Sequence, residues 1–260
     1  MAPERTDTLA VTWVGHSTAL IELDGIRIIT DPVLHRRVGP LRRVASPVQE
    51  EARRDIDAIL VSHLHADHAD LPSLRAIGVD TPILAPSGAG SWLSHHGFTD
   101  VRELRPGEQA SVGPARVSAT PASHGSSRRP LGSLRAEPIG FVIAGSQTVY
   151  FAGDTDLFDA MSELAGTIDL ALLPVWGWGP TLGPGHLNPE RAVTAAARIA
   201  PRVAIPIHWG TLALPRPARD PRDARRPARE FAERMAAEAP AIETRVLTPG
   251  ERTELAPRQA

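Results

Sequence analysis

Four residues with metal-binding side chains lie within residues 63–68 of this 260-residue chain: His63, His65, Asp67 and His68. Imidazole and carboxylate groups together suit Zn²⁺, Mn²⁺ or Fe. In an extended segment His63 and His65 point to the same side, and Asp67 and His68 then turn toward a second position. Burying so many polar groups without partners costs several kcal/mol. We therefore interpret the cluster as a loop that binds two metal ions.

Three further candidate ligands occur later in the chain, each just after an apolar segment. They are His124, Asp154 and His208. The four-residue cluster itself follows the apolar run at residues 57–63 in the same way. In layered α/β proteins, functional side chains gather at the carboxyl ends of strands. The three residues are therefore expected to meet the cluster.

The segments that must position these ligands read as strands separated by helices. Asp24-Gly25 predicts a hairpin turn, and residues 35–55 are expected to form a surface loop. Asn188 and Pro189 predict the start of a helix over 188–200. A second helix should end near residue 239. Strands are predicted at 9–15, 19–25, 26–32, 57–63, 82–86, 116–125, 139–145, 148–155, 169–175, 202–210 and near 242–247, with a small helix around 87–96. This order indicates an α/β fold in a single domain over residues 1–260.

The amino-acid composition excludes several kinds of site and partner. The chain has no cysteine, which excludes thiolate ligands, disulfides and cysteine nucleophiles. Its formal net charge of -2 gives no electrostatic reason to bind nucleic acid or an anionic membrane. Residues 1–15 lack the pattern of a secretory signal, and no apolar run is long enough to span a membrane. We expect a cytoplasmic protein without a membrane anchor that acts on a small molecule. The oligomeric state stays open.

The HxHxDH motif at residues 63–68 resembles that of the metallo-β-lactamase superfamily. The motifs WVGHST (13–18), TDP (30–32), HLNPE (186–190) and IHWGT (207–211) are similar to those of one branch. That branch contains the ascorbate-6-phosphate lactonases (UlaG-like) and the N-acyl-phosphatidylethanolamine phospholipase D-like enzymes. The resemblance implies a four-layer αβ/βα sandwich with a dinuclear site at one edge between the two sheets.

The resemblance also implies roles for the candidate residues. It assigns His63, His65 and His124 to one ion, Asp67, His68 and His208 to the other, and Asp154 to both. It implies a hydrolase that uses a bridging hydroxide on a small phosphodiester or a lactone, and the sequence does not separate the two. Asp67 would also orient the hydroxide, and His186 would donate a proton or hydrogen bond to the substrate. Two divalent ions are expected, with Zn²⁺ favoured by the histidines and Mn²⁺ as the alternative.

The sequence leaves two alternative roles open for several other residues. His16 and Asp31 are expected either to orient metal-bound histidines or to serve in turns. Trp176 and Trp178 either wall a pocket or pack in a loop. Three arginines of a loop either grip a phosphate or are solvated: Arg128, Arg129 and Arg135.

Three other functions compete with hydrolysis of a small molecule. A nuclease of the same fold is disfavoured by the acidic balance and by the lack of a large basic insert. A redox diiron protein is disfavoured because the second ligand position, usually a glutamate there, is His65. A non-catalytic protein that has lost its metals is disfavoured because all seven ligand positions are filled.

Overall fold

The computed structural model describes residues 8–128, 133–179, 182–215 and 224–258. Within these residues the strands form two seven-stranded sheets and one three-stranded sheet. In spatial order, the first sheet consists of β17 (Glu251–Leu255), β1 (Leu9–Gly15), β2 (Thr18–Leu23), β3 (Ile26–Thr30), β6 (Ala58–Leu60), β7 (Ile83–Pro86) and β8 (Val101–Leu104). The second consists of β16 (Glu243–Thr244), β14 (Val203–Ile207), β13 (Leu170–Pro174), β12 (Thr148–Phe151), β11 (Ile139–Ala144), β10 (Ala115–Pro121) and β9 (Gln109–Val112). The small sheet consists of β15 (Leu212–Ala213), β5 (Leu41–Arg43) and β4 (Arg37–Val38).

Both large sheets are mixed. In the first, β1, β2 and β3 are antiparallel neighbours, and β3, β6, β7 and β8 run parallel. In the second, β9 to β12 are antiparallel, and β12, β13, β14 and β16 run parallel. Parallel strands must be covered on both faces, because each crossover carries the chain over a face of the sheet. The predicted layered α/β architecture is confirmed.

Successive side chains along the parallel strands belong alternately to two hydrophobic cores, one on each face of the sheet. Ile28 and Leu60 belong to the larger cluster between the sheets, which also contains Phe141 and Leu172 of the second sheet. Their neighbour Ile59 belongs instead to the cluster under two short helices, α1 (Leu71–Ile77) and α2 (Gly90–His95). Since successive side chains of a strand point to opposite faces, continuous apolar runs fill both layers.

Two longer helices cover the second sheet: α3 (Pro189–Ile199) and α4 (Arg226–Glu238). They pack against each other and against β13 and β14. The Asn188 side chain caps α3 by accepting a hydrogen bond from the Arg191 N–H at 2.8 Å, as predicted. Two 3-10 helices lie at Glu50–Arg53 and Asp159–Leu164.

The hairpin at Asp24-Gly25 is confirmed, with φ angles of 52° and 81° that fit a two-residue turn of the mirror-image type. Other boundaries differ from the predictions. Residues 35–55 contain β4, β5 and a 3-10 helix, and the strand expected over 116–125 ends at Pro121. The strand near 242–247 shrinks to β16, while β8, β9 and β17 were not predicted because their exposed alternation is weak. No helix in the described part of the chain is long and apolar enough to cross a membrane.

Candidate metal centre

The candidate ligands lie where strands of both sheets end. His63 follows β6, and His124 follows β10. Asp154 comes three residues after β12, and His208 directly follows β14. The carboxyl ends of the strands thus bring all seven predicted ligands to one edge of the sandwich.

The nitrogens of His63, His65 and His124 form one compact group, in which all ligand atoms lie within 4.8 Å of one another. The Nδ1 of His124 donates to the Gly185 carbonyl at 2.7 Å. Because a carbonyl only accepts, the Nε2 of His124 carries a lone pair, and it lies 3.1 Å from the Nδ1 of His65. The Nε2 of His63 lies 2.9 Å from the same Nδ1. This arrangement suits a cation placed among the three rings.

A second group contains Asp67, His68 and His208, and His16 joins it within the same 4.8 Å limit. The Nδ1 of His208 donates to the Trp176 carbonyl at 2.6 Å. The Nδ1 of His68 donates to the Asp31 carboxylate at 2.7 Å. The Nε2 atoms of both rings are therefore left facing each other at 3.1 Å. Two lone pairs at this distance repel, so a proton or a metal ion is needed between them.

Asp154 lies beside the second group and also reaches the first, because ligand atoms of Asp154 and His124 lie within 4.8 Å of each other. Its carboxylate is 3% exposed, and its Oδ2 lies 3.2 Å from the Nε2 of His68. Its Oδ1 lies 3.2 Å from the Nε2 of His208 but has no partner with hydrogen-bond geometry among the described residues. A buried carboxylate oxygen without a hydrogen bond is costly unless a cation satisfies it. The donor set therefore fits metal ions.

Asp31 and Ser62 connect the two groups through hydrogen bonds to the Nδ1 atoms of His68 and His63. The fully buried Asp31 carboxylate accepts from the Ser62 N–H at 2.7 Å and from the Ser62 hydroxyl at 2.6 Å, besides His68. Since the Ser62 hydroxyl donates to Asp31, it must accept from the Nδ1 of His63 at 3.0 Å. One carboxylate thus fixes the ring orientation of a histidine in each group. Of the two roles left open for Asp31, the structure shows the orienting contact.

His16 makes the matching contact on the other side. Its Nε2 lies 3.1 Å from the Oδ2 of Asp67. Its backbone N–H donates to the Thr211 hydroxyl at 2.8 Å, and its carbonyl accepts from the His208 N–H at 2.9 Å. His16, Asp31 and His208 all have positive φ angles, of 55°, 34° and 64°. Non-glycine residues rarely adopt this conformation, and it concentrates at functional sites. This strain has no signal in the sequence beyond the position of each residue at a strand end.

His186 lies beside Asp154. Its Nδ1 donates to the carbonyls of Gly183 and Pro184, both at 3.1 Å, and its Nε2 lies 3.4 Å from the Oδ2 of Asp154. The following Leu187 N–H donates to the Thr155 carbonyl at 2.8 Å, which ties this loop to the Asp154 loop. Potential ligand atoms of His124, Asp154 and His186 also lie within 4.8 Å of one another. His186 therefore borders the centre, within reach of an ion or of a bound substrate.

The loop that carries Asp154 comes very close to the 63–68 loop at Gly153, which has a φ of 61°. A Cβ at this position would lie 2.6 Å from the Ser62 Cβ, and it would also meet a left-handed backbone. Glycine is therefore required here to bring Asp154 against the loop that begins at Ser62.

Burial and neighbouring charges shift the pKa values of the histidines in opposite directions. Burial lowers the pKa of His208 to about 3 and that of His65 to about 4. Burial also acts to lower the pKa of His68, but the carboxylates of Asp154 and Asp31 outweigh it and raise that pKa well above its usual value. Burial thus favours the neutral rings of His65 and His208, whereas two carboxylates favour the protonated ring of His68.

The remaining predicted residues divide between two environments. Trp176 is partly buried and contacts the centre through its carbonyl, whereas Trp178 is 37% exposed. Both line a cavity of about 730 Å³ next to His208 that contains none of the seven candidate ligands among its described lining residues. The Nη1 of Arg128 donates to backbone carbonyls, and the Nη1 of Arg135 lies 3.3 Å from the Ser126 hydroxyl. Arg129 lies outside the described residues.

Residues 26–209 match the model of the beta-lactamase superfamily domain. The chain belongs to this superfamily. A UPF0173 metal-dependent hydrolase of Methanopyrus kandleri is 31% identical to it over 95% of this chain and 100% of its own length. An N-acyl-phosphatidylethanolamine-hydrolyzing phospholipase D of Saccharomyces cerevisiae, described as mitochondrial, is 34% identical over 78% of this chain and 48% of its own length. Related mycobacterial proteins are likewise matched over only 62% of their length.

The structure of Igni18, a metallo hydrolase of Ignicoccus hospitalis, superposes with a TM-score of 0.75. It is 24% identical, and the match covers 96% of this chain and 100% of the other. The fold predicted from the HxHxDH resemblance is therefore confirmed. This superfamily member thus has the metallo-β-lactamase fold, and its described residues include a His/Asp cluster that can hold metal ions.

Proposed function

We propose that this metallo-β-lactamase-fold hydrolase uses two metal ions to cleave a small phosphodiester. The observation that carries the proposal is the position of Asp154. Its carboxylate lies 3.2 Å from the Nε2 atoms of both His68 and His208 in the second group. Ligand atoms of Asp154 and of His124, a member of the first group, lie within 4.8 Å of each other. A carboxylate so placed can serve two ions at once.

We assign a separate ligand set to each ion. One ion would be held by His63, His65 and His124, and the other by Asp67, His68 and His208, with Asp154 shared. Bound divalent ions lower the pKa of water toward neutrality and polarise a substrate oxygen. Asp31 and His16 keep the ligand atoms of His68 and Asp67 directed inward. Zn²⁺ is our first choice because the set is rich in imidazole, and Mn²⁺ is the alternative.

His186 is proposed as the proton donor to the leaving group. Its Nδ1 hydrogen is directed to two carbonyls, so the Nε2 is the atom that can exchange a proton at the centre. The hydrogen bond and the charge of Asp154 raise the pKa of His186 against the lowering effect of burial. A partly buried imidazole whose pKa is raised is suited to general acid catalysis.

The preference for a phosphodiester over a lactone rests on sequence similarity to a named enzyme. The yeast relative is named as a phospholipase D, an activity that cleaves a phosphodiester. The formal net charge of -2 supports a small molecule rather than a nucleic acid as substrate. A lactone remains the alternative substrate because its hydrolysis needs the same metal ions and the same proton donor.

A rate comparison tests the proposal. Zn²⁺-loaded and Mn²⁺-loaded protein would be given bis-p-nitrophenyl phosphate, a glycerophosphodiester and a set of lactones, with Asp154→Ala as the blank. We expect phosphodiester turnover that vanishes in the blank. Turnover of lactones alone would reject the phosphodiester and favour a lactonase. Metal content measured on the same samples separates a missing ion from a wrong substrate.

A further inference from the structure

Arg128 contacts the loop that carries four of the seven candidate ligands. Its Nη1 donates to the Leu64 carbonyl at 2.6 Å and lies 3.4 Å from the Ala69 carbonyl. Leu64 lies between His63 and His65, and Ala69 directly follows His68. The guanidinium group therefore spans the turn from one side.

The turn is closed from within by its own backbone. The His65 carbonyl accepts from the N–H groups of His68 at 3.0 Å and Ala69 at 2.8 Å. The carbonyls of Leu64 and Ala69 instead lie within reach of Arg128. Hydrogen bonds from a charged donor are stronger than neutral ones. They limit the ways in which the turn can open.

The guanidinium group is itself held in place. It lies over the ring of Trp92 on α2, with its Cζ 4.1 Å from the ring centre. The backbone of residue 128 donates to the Leu134 carbonyl at 3.1 Å, and the Ala136 N–H donates to the Ser126 carbonyl at 2.9 Å. Stacking on an aromatic face is favourable for a guanidinium, and a planar group already held by stacking loses little further freedom when it donates.

Arg128 also follows His124 by four residues in the chain. The segment that provides His124 is thus linked through one side chain to the loop that provides His63 and His65. These are the three members of the first histidine group. We propose that Arg128 is a positioning residue that holds the 63–68 loop in its metal-binding geometry. This role differs from the phosphate contact considered for this arginine from the sequence, and it rests on the metal site proposed above.

The test compares metal release from four proteins: the wild type, Arg128→Gln, Arg128→Lys and Arg135→Gln. The matched control is Arg135, because its guanidinium lies near the Ser126 hydroxyl in the same loop region. Each protein is loaded with Co²⁺, its absorption spectrum is recorded, and metal transfer to a chelator is timed. The thermal midpoint of each metal-free protein is measured in parallel, so that general destabilisation is recognised.

We expect Arg128→Gln to release metal about 10- to 100-fold faster than the wild type and to show an altered Co²⁺ spectrum. Arg128→Lys should be intermediate, because an ammonium group can donate to a carbonyl but lacks the planar stacking surface. The Arg135→Gln protein should match the wild type. If Arg128→Gln does not fold, Arg128→Lys and Trp92→Leu carry the same expectation in weaker form.

Three results would overturn the proposal. The first is metal release and a Co²⁺ spectrum unchanged in every Arg128 variant. The second is equal acceleration in Arg135→Gln, which would indicate a general effect of the loop. The third is a rise in KM for a phosphodiester with unchanged metal release, which would make Arg128 a substrate contact. A wild-type protein that binds no metal would instead reject the metal site itself.

Discussion

Replacing Asp31 by Asn should weaken metal binding although the two side chains have the same shape. The Asp31 carboxylate accepts three hydrogen bonds, two from Ser62 and one from the Nδ1 of His68. An amide has one acceptor oxygen, which can keep the bond to the Ser62 N–H. Its NH₂ group would then face the Nδ1–H of His68, and two donors cannot bond. The ring would respond by moving its hydrogen to Nε2, the atom that should bind the ion.

The size of the effect follows from the lost bond. A hydrogen bond to a charged group contributes about 1.5–3 kcal/mol, which corresponds to about 10- to 150-fold in metal affinity. The loss should fall on the ion held by His68. The other group is affected less, because the Ser62 hydroxyl can still accept from the Nδ1 of His63. Metal content after dialysis against a buffered Zn²⁺ solution, followed by titration with a competing chelator, measures both ions.

The matched control is Asp169→Asn. Asp169 is also a buried carboxylate, but its partners are the Thr148 N–H and the side chains of Arg202 and Arg258. This variant should lose stability and keep its metal affinity. If Asp31→Asn binds both ions as tightly as the wild type, the outer hydrogen bonds do not set the tautomer of His68, and the reasoning is wrong.

Three further predictions follow from the site. Asp154→Ala should lose both ions, which elemental analysis would show as near-zero metal content; retention of one full equivalent would argue against a shared ligand. His186→Gln should keep both ions and lower kcat by about 10²- to 10⁴-fold, the usual contribution of a general acid, whereas metal loss equal to that of Asp154→Ala would make His186 a ligand. The metal-free protein should become less stable as the pH falls from about 6.5 to 4, because burial holds the folded pKa of His208 at about 3 and that of His65 at about 4. Over that range the unfolded chain binds protons that these two folded rings do not, so stability rises with pH. The thermal midpoint of metal-free His208→Gln should depend less on pH, and an unchanged dependence would contradict the assigned shift.

The sequence was sufficient to predict the fold class and to predict that the ligands meet at one edge of the sandwich. Apolar runs that end in His63, Asp154 or His208 identify parallel strands, and the carboxyl ends of such strands share an edge. The sequence was insufficient to predict strand β17, because its exposed residues alternate only weakly. This strand pairs with β1, which lies at the other end of the chain. Register between such distant segments depends on tertiary packing, which no local pattern reports.

The contacts of the arginines could not be predicted from the sequence either. A run of arginines after His124 suits a phosphate contact as well as solvent, and only the fold shows that Arg128 meets the Leu64 carbonyl and the Trp92 ring. The left-handed backbone of His16 and Asp31 is a second example, because residues other than glycine rarely adopt it and no residue type predicts it. Ligand identity is a local property of the chain, whereas ligand orientation depends on contacts from distant segments.

The orienting contacts come from both halves of the chain, which couples metal binding to folding. The acceptors that fix His63 and His68 come from the first half of the chain, at Ser62 and Asp31. Those that fix His124 and His208 come from the β13–α3 segment of the second half, at Gly185 and Trp176. Each half can therefore orient part of the ligand set, but neither has a complete set. Beyond the shared apolar core, the close approach at Gly153 brings them together beside the ligands. Metal ions should consequently stabilise the docking of the two sheets more than either sheet alone, since binding to the docked state only shifts the equilibrium toward it.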